Sequence, residues 1–257
     1  MDTQINQLLK FSPGKGNAKL ASLGGLVYTF SLPSGWTCPA AKDCLSKAVG
    51  MRDKGILNEK KYHIEDGKDT KFRCFSATQE VVYKAVREQR QYNFNMLMHK
   101  SLGEMANLIA KSIPPSASVI RIHVGGDFFN KDYMKAWIAV ANLLPHITFY
   151  AYTKSVNYWV ELQAEVGIPA NFKLNASRGG RHDNMIDTYN LKYAEVVYSE
   201  EEAAQKGLEI DHDDSHAFLQ DKSFALLLHG VQPKGTIASA ALKKLNGKGS
   251  YGKTKRS

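Results

Sequence analysis

No stretch of the chain approaches the roughly 18 unbroken apolar residues that a membrane-spanning helix needs, so no such span is expected. The N-terminus, MDTQINQLLKF, lacks a basic segment followed by an apolar one, and is read as carrying no export signal. The expected compartment is therefore cytoplasmic. Cysteine is scarce, with three in 257 residues. An odd number in a reducing compartment argues against a disulfide framework. Close C-x2-C pairs, the usual mark of a zinc knuckle, are absent. No internal repeat is visible. Acidic residues are missing from the stretch Lys243 to Ser257, which holds Lys243, Lys244, Lys248, Lys253, Lys255 and Arg256. Such a run is either a solvated, flexible end or an arm for a polyanion such as nucleic acid, whose binding would weaken with salt.

What is present is an apolar content of 43% and a net charge of +9. That much apolar material suits one sizeable core. The expected organisation is a single α/β domain over residues 1–242, with a polar, mobile insert at about 47–71, and a basic flexible tail over 243–257. Short apolar runs rich in β-formers read as strands buried on both faces: Leu26–Leu32, Ser118–Gly125, Ile147–Thr153, Phe172–Ser177, Ala194–Tyr198 and Phe224–His229. Helical periodicity fills the gaps. Thr78 to about Ser112 is opened by a possible capping box, Ser76 with Gln79, and Gly103 is a candidate break. Met134, Trp137, Ile138, Ala141 and Leu144 recur at helical spacing behind Asn130 as N-cap. Val156–Val166 makes a shorter helix, and Ser199 with Glu202 caps another that Gly207 closes. Strands alternating with helices imply a parallel sheet with right-handed crossovers, as a partial barrel or an open doubly wound sheet. In both, function gathers at the carboxyl ends of the strands.

The unusual residues do follow the strands. After the first come Cys38 and Cys44, with Gly35 and Pro39 shaping a tight loop. Cys74 lies beyond the insert, beside Arg73 and before a helix, where a thiolate is favoured. Three thiolates suit an iron–sulfur cluster with one iron left for another ligand, or a zinc ion completed by histidine; three unrelated buried thiols are the bland reading. After the second strand come Gly125, Gly126 and Asp127, which let backbone approach a ligand closely while Asp127 holds an ammonium group. A plain turn with Asp127 as a cap is the alternative. His123, inside the strand, reads as a core histidine. Lys154 follows the third strand, solvated or facing an anion at the mouth. Asn175 and Ser177 end the fourth strand, where buried polar groups need a polar partner. Arg178 and Arg181 follow as a carboxylate or phosphate grip, or as loop charges. His229 ends the sixth strand as a possible fourth ligand. Asp211-His212-Asp213-Asp214-Ser215-His216 reads as a solvated acidic turn of metal-like composition.

The blocks TCPAAKDCLSKA, FRCFSATQEVVYKAVREQRQYNFNML and RIHVGGDFFNKDYMKAWIAVANLLPHITFYAYTKS resemble the phage-encoded family called gene product 88, over about residues 26 to 200. That resemblance implies a bacteriophage protein working in the cytoplasm of an infected host. Members of that family carry a second cysteine group near the C-terminus, where this chain has none. The arrangement also resembles radical SAM enzymes, with their partial (βα)6 barrel, a cysteine loop after the first strand, Gly-Gly-Glu after the second and ribose contacts after the fourth. Two departures stand out: the usual C-x3-C-x2-C loop is replaced by a pattern with a long insert, and Asp127 replaces Glu. The resemblance implies a [4Fe–4S] cluster on Cys38, Cys44 and Cys74, and S-adenosylmethionine as a second cofactor. Gly125, Gly126 and Asp127 would hold its amino group, Asn175 and Ser177 its ribose, and a host or phage reductase would donate electrons. A non-enzymatic electron carrier or sensor, and a nucleic-acid-associated protein with a structural metal, remain the other readings.

Overall fold

A computed structural model describes residues 7–16, 20, 26–53, 56–219 and 221–246. Its main sheet has eight strands. In chain order these are β1 (Ser12–Pro13), β2 (Val27–Phe30), β5 (Val119–Ile122), β6 (Thr148–Thr153), β7 (Phe172–Ser177), β8 (Tyr193–Val197), β9 (Glu209–Ile210) and β10 (Phe224–Leu227). The remaining two, β3 (Ser46–Asp53) and β4 (Ile56–Asp66), form an antiparallel hairpin. The spatial order is β1-β2-β5-β6-β7-β8-β10-β9, and β2 through β10 pair in parallel. All six strands expected from the apolar runs are there. Their order shows no reversal, so the doubly wound alternative does not describe the sheet. The sheet is open, with β1 and β9 at its edges.

The helices are α1 (Phe75–Val82), α2 (Lys84–Leu97), α3 (Leu102–Ser112), α4 (Lys131–Leu143), α5 (Val156–Glu165), α6 (Asp183–Thr188), α7 (Glu200–Gln205), α8 (Ser215–Phe218) and α9 (Ile237–Lys244). None of the helices among the described residues is long and apolar enough to cross a membrane. Right-handed crossovers that always step the same way place their helices on one face. There the larger core forms, with Trp137, Tyr133 and Ile138 of α4 packed with Phe30, Ile120, Ile122 and Phe149 from the sheet. On the other face, Val27, Val119, Tyr150, Ala194 and Phe224 from five parallel strands gather around Ala217 of α8.

Several local expectations are corrected. The insert at 47–71 is largely the β3–β4 hairpin, tied down by Gly67 N–H to Leu45 O and by Arg73 to Asp66. Ser76 caps no helix: Cys74 is the N-cap of α1, and the hydroxyl of Ser76 accepts from Arg90 Nη1 at 2.7 Å. The capping box lies instead at Ser101 and Glu104, which opens α3 ahead of Gly103. Asn130 and Ser199 cap as expected, accepting from Tyr133 and Glu202 N–H groups. The domain end moves too, because α9 runs to Lys244 and Leu245 packs into a core cluster. The rest of the basic tail, residues 247–257, lies outside the described residues.

Candidate functional site

The carboxyl ends of the parallel strands open on one cavity of about 470 Å³. Arg121, Tyr152, Ser177, Val196 and Leu226, from five successive strands, all line it. Five strands spaced about 4.8 Å apart would spread over about 19 Å if flat, and all five reach this one cavity. The loop after β2 supplies Cys38 and Cys44, and the strap before α1 supplies Cys74. That strap is tied to the segment after β10. Arg73 N–H donates to Gln232 Oε1 at 2.8 Å, and Gln232 Nε2 returns a bond to Arg73 O at 3.1 Å.

Each thiol has its own setting. Gly35 N–H donates to Cys38 Sγ at 3.3 Å, and the first N–H groups of α1, at Ser76 and Ala77, act on Cys74. Burial pushes all three thiols up, Cys74 to about 11, and mutual repulsion adds to it at Cys38 and Cys74. Without metal they therefore stay protonated; a bound cation inverts this balance. Among the described residues, no three His, Cys, Asp or Glu side chains are grouped to hold a metal ion. The zinc alternative needs such a group at single-ion distances. A cluster does not, since iron and sulfide lie between its ligands. Three thiols lining one cavity, two of them met by backbone N–H groups, are the kind of donor set that a cluster takes.

A buried ion pair fixes these segments relative to one another. Glu80 Oε1 accepts from Ser34 N–H and Oγ, each at 2.9 Å, and from Arg90 Nη1 at 2.7 Å. Ser34 lies in the first cysteine loop, Glu80 on α1 behind Cys74, and Arg90 on α2. Sequence reasoning missed both charged residues; Glu80 and Arg90 on one polar helical stretch gave no sign of burial. From the other side, Lys42 and Asp43 N–H donate to Gly179 O, and Arg181 N–H donates to Ala40 O.

The Gly125–Gly126–Asp127 turn lines the same cavity. Leu32 N–H donates to Gly125 O at 2.9 Å, and any Cβ on Gly126 (φ +85°) would come within 2.6 Å of Thr37 Oγ1. Asp127 Oδ1 accepts from Thr153 Oγ1 and Phe128 N–H, and Oδ2 from Lys154 N–H. Burial raises its pKa to about 6 despite these bonds. Asp127 thus joins two turns, with one acceptor direction left on Oδ2.

The other expected residues divide between this cavity and other places. Ser177 lines the cavity and accepts from Lys154 Nζ. Asn175 does not line it: its amide donates to Ala151 O and to Ala217 O at 2.9 Å, holding α8 against the inner face. Arg178 turns away to Asp187 and over the Tyr193 ring, and Arg181 is exposed. His123 is a core histidine, as expected, bonded to Tyr133 OH at 3.0 Å. His229 lines the cavity, and its Nδ1 meets Leu227 O at 3.1 Å, so in the neutral ring the lone pair is on Nε2. The expected acidic turn is not solvated. Asp211 and Asp214 are buried, and Asp214 Oδ2 takes Arg121 Nη1 at 2.5 Å and Tyr150 OH at 2.9 Å on the cavity floor.

The family model for gene product 88 matches residues 7–246. Gene 88 protein of Mycobacterium phage L5 is 24% identical over 164 residues, covering 60% of this chain and 56% of the relative. Gene 88 protein of Mycobacterium phage D29 is 24% identical over 175 residues, covering 64% of this chain and 60% of the relative. The match thus spans less than two thirds of these curated relatives. No solved structure matches the chain.

Proposed function

We propose, for a chain that belongs to the phage gene product 88 family, that Cys38, Cys44 and Cys74 hold a [4Fe–4S] cluster at the mouth of a partial (βα)6 barrel. One observation carries the reading: three thiols from two segments and the Gly125–Gly126–Asp127 turn face one cavity at the carboxyl ends of parallel strands. The sequential strand order and the shared cavity support the barrel arc. Such a cluster supplies low-potential electrons and, through an iron free of cysteine, a place for S-adenosylmethionine.

The chain's own residues prepare that place. Gly125 and Gly126 let the turn pack directly on Ser76, Arg90, Thr37 and Leu32, and Asp127 Oδ2 has an acceptor direction for an amine. Ser177, two strands along, lines the same cavity with its oxygens bonded to Lys154 Nζ; Asn175 is committed to α8 and takes no part. Phe72, Phe75, Val196 and Leu228 add apolar lining to the cavity. A host or phage reductase would be the electron source.

Anaerobic purification with iron, sulfide and zinc analysis tests the cluster. Iron and sulfide are expected in the wild type, and Cys38→Ala, Cys44→Ala or Cys74→Ala should each lose most of the iron and the visible charge-transfer absorption. Zinc, or no metal, overturns the reading. Titration with S-adenosylmethionine, followed by EPR of the reduced cluster, then separates enzyme from carrier. A perturbed signal supports the enzyme; an unchanged one assigns the protein as an electron carrier or sensor.

A further inference from the structure

Lys154 follows β6 and is only 6% exposed. Its Nζ donates to Ser177 O at 3.0 Å, Ser177 Oγ at 2.9 Å and Arg178 O at 2.5 Å, which uses all three donors on neutral oxygens. Asp127 does not bond the ammonium: its Oδ2 takes the backbone N–H of Lys154 instead. The guanidinium of Arg178 is turned away to Asp187. Lys154 is therefore satisfied in hydrogen bonds, and among the described residues it forms no ion pair; Asp127 feels its charge without bonding the ammonium, and burying a cation without a bonded anion is costly. The cavity it faces is lined by Cys44, whose thiol its charge pulls towards thiolate.

We infer that Lys154 is the counter-charge for an anionic occupant of the mouth and that it sets the reduction potential of the cluster there; this rests on the cluster reading above. Three thiolates and the cluster's sulfides outweigh the iron charge. One electron from the low-potential reductase makes the cluster more negative, with no proton taken up. A fixed ammonium beside Cys44 stabilises that reduced form more than the oxidised one and raises the potential. Lys154 is thus a positioning and tuning residue rather than a ligand.

The test is an EPR-monitored redox titration of reconstituted full-length wild type, Lys154→Gln, Lys154→Met and Lys154→Arg, with iron analysis of each. The Gln variant keeps an amide donor one atom short of the lysine reach, and Met keeps most of the length without charge. Both neutral variants should show a reduced-to-oxidised ratio about tenfold lower at a fixed potential, a downward shift of about 59 mV for one electron. The Arg variant should stay near the wild type. Equal potentials at wild-type iron content overturn the inference and leave the cluster reading standing. A wild type without iron overturns both. Iron lost only from the neutral variants supports a charge requirement, whereas iron lost from all three assigns Lys154 to packing and overturns the inference.

Discussion

Gly125 and Gly103 show how differently a missing side chain acts at two sites. A Cβ on Gly125 would stand 2.2 Å from Ser76 Oγ and 2.8 Å from Arg90 Cζ. Arg90 is held by Glu80 and cannot withdraw. Gly125→Ala should cost about 1–3 kcal/mol by overpacking in chemical denaturation, and should lower iron retention as well. Gly103, in the first turn of α3, has nothing within 4 Å of a built Cβ. Gly103→Ala should stabilise by about 0.5–1 kcal/mol, and a loss in the same assay would contradict that. His123 adds a pH dependence. Burial depresses its pKa from 6.5 to about 3, so the unfolded chain binds its proton first. Its contribution is present above pH 6.5 and is lost as pH falls towards 3. Asn tolerates the positive φ that His123 adopts. The metal-free His123→Asn variant should therefore lose less unfolding free energy than wild type between pH 7 and pH 5.

At the scale of elements, the cysteine segments depend on α1 and α2 through the Glu80–Arg90 pair. Glu80 is 2% exposed and Arg90 5%. Glu80→Ala leaves a buried guanidinium without its carboxylate and frees Ser34, so a loss of about 3–5 kcal/mol is expected. Thiol labelling of the metal-free variant should quicken at Cys74, since α1 loses its anchor to the first cysteine loop. Unchanged labelling and stability would show that Gln79 and Ser76, which also hold Arg90, are sufficient.

For the whole molecule, the strap before α1 is bonded to Gln232 beyond β10 at the mouth, and Ala217 of α8 packs with residues of five parallel strands. The C-terminal helix belongs to this body. Leu245 is buried with Val197 and Leu227. Truncation after Leu242 should cost about 1.5–3 kcal/mol, the worth of one buried leucine, and lower the melting temperature. Truncation after Asn246 retains Leu245 and should not show that loss. Equal melting temperatures for the two truncations would remove α9 from the core.

The sequence by itself determined the parallel strands, because strands covered on both faces must be written as continuous apolar runs. It also determined α4, through the spacing of Met134, Trp137 and Ile138, and the gathering of cysteines and glycines after strands, because catalytic or binding loops have no core to fill. The hairpin escaped notice since β3 and β4 are held by backbone pairing, and a charged stretch such as Asn58–Lys61 carries no burial signal. Only a hint stood in the sequence, Asp53-Lys54-Gly55 between segments with β-formers. The tertiary structure alone decided which polar residues are interior. Glu80, Arg90 and Asp214 look like surface charges in the chain, Lys154 like a solvated group or an anion contact, and Asn175 like a ligand contact. Their burial depends on partners 10 to 93 residues away. Such pairings are set by how distant elements pack together, which no local pattern of residues encodes.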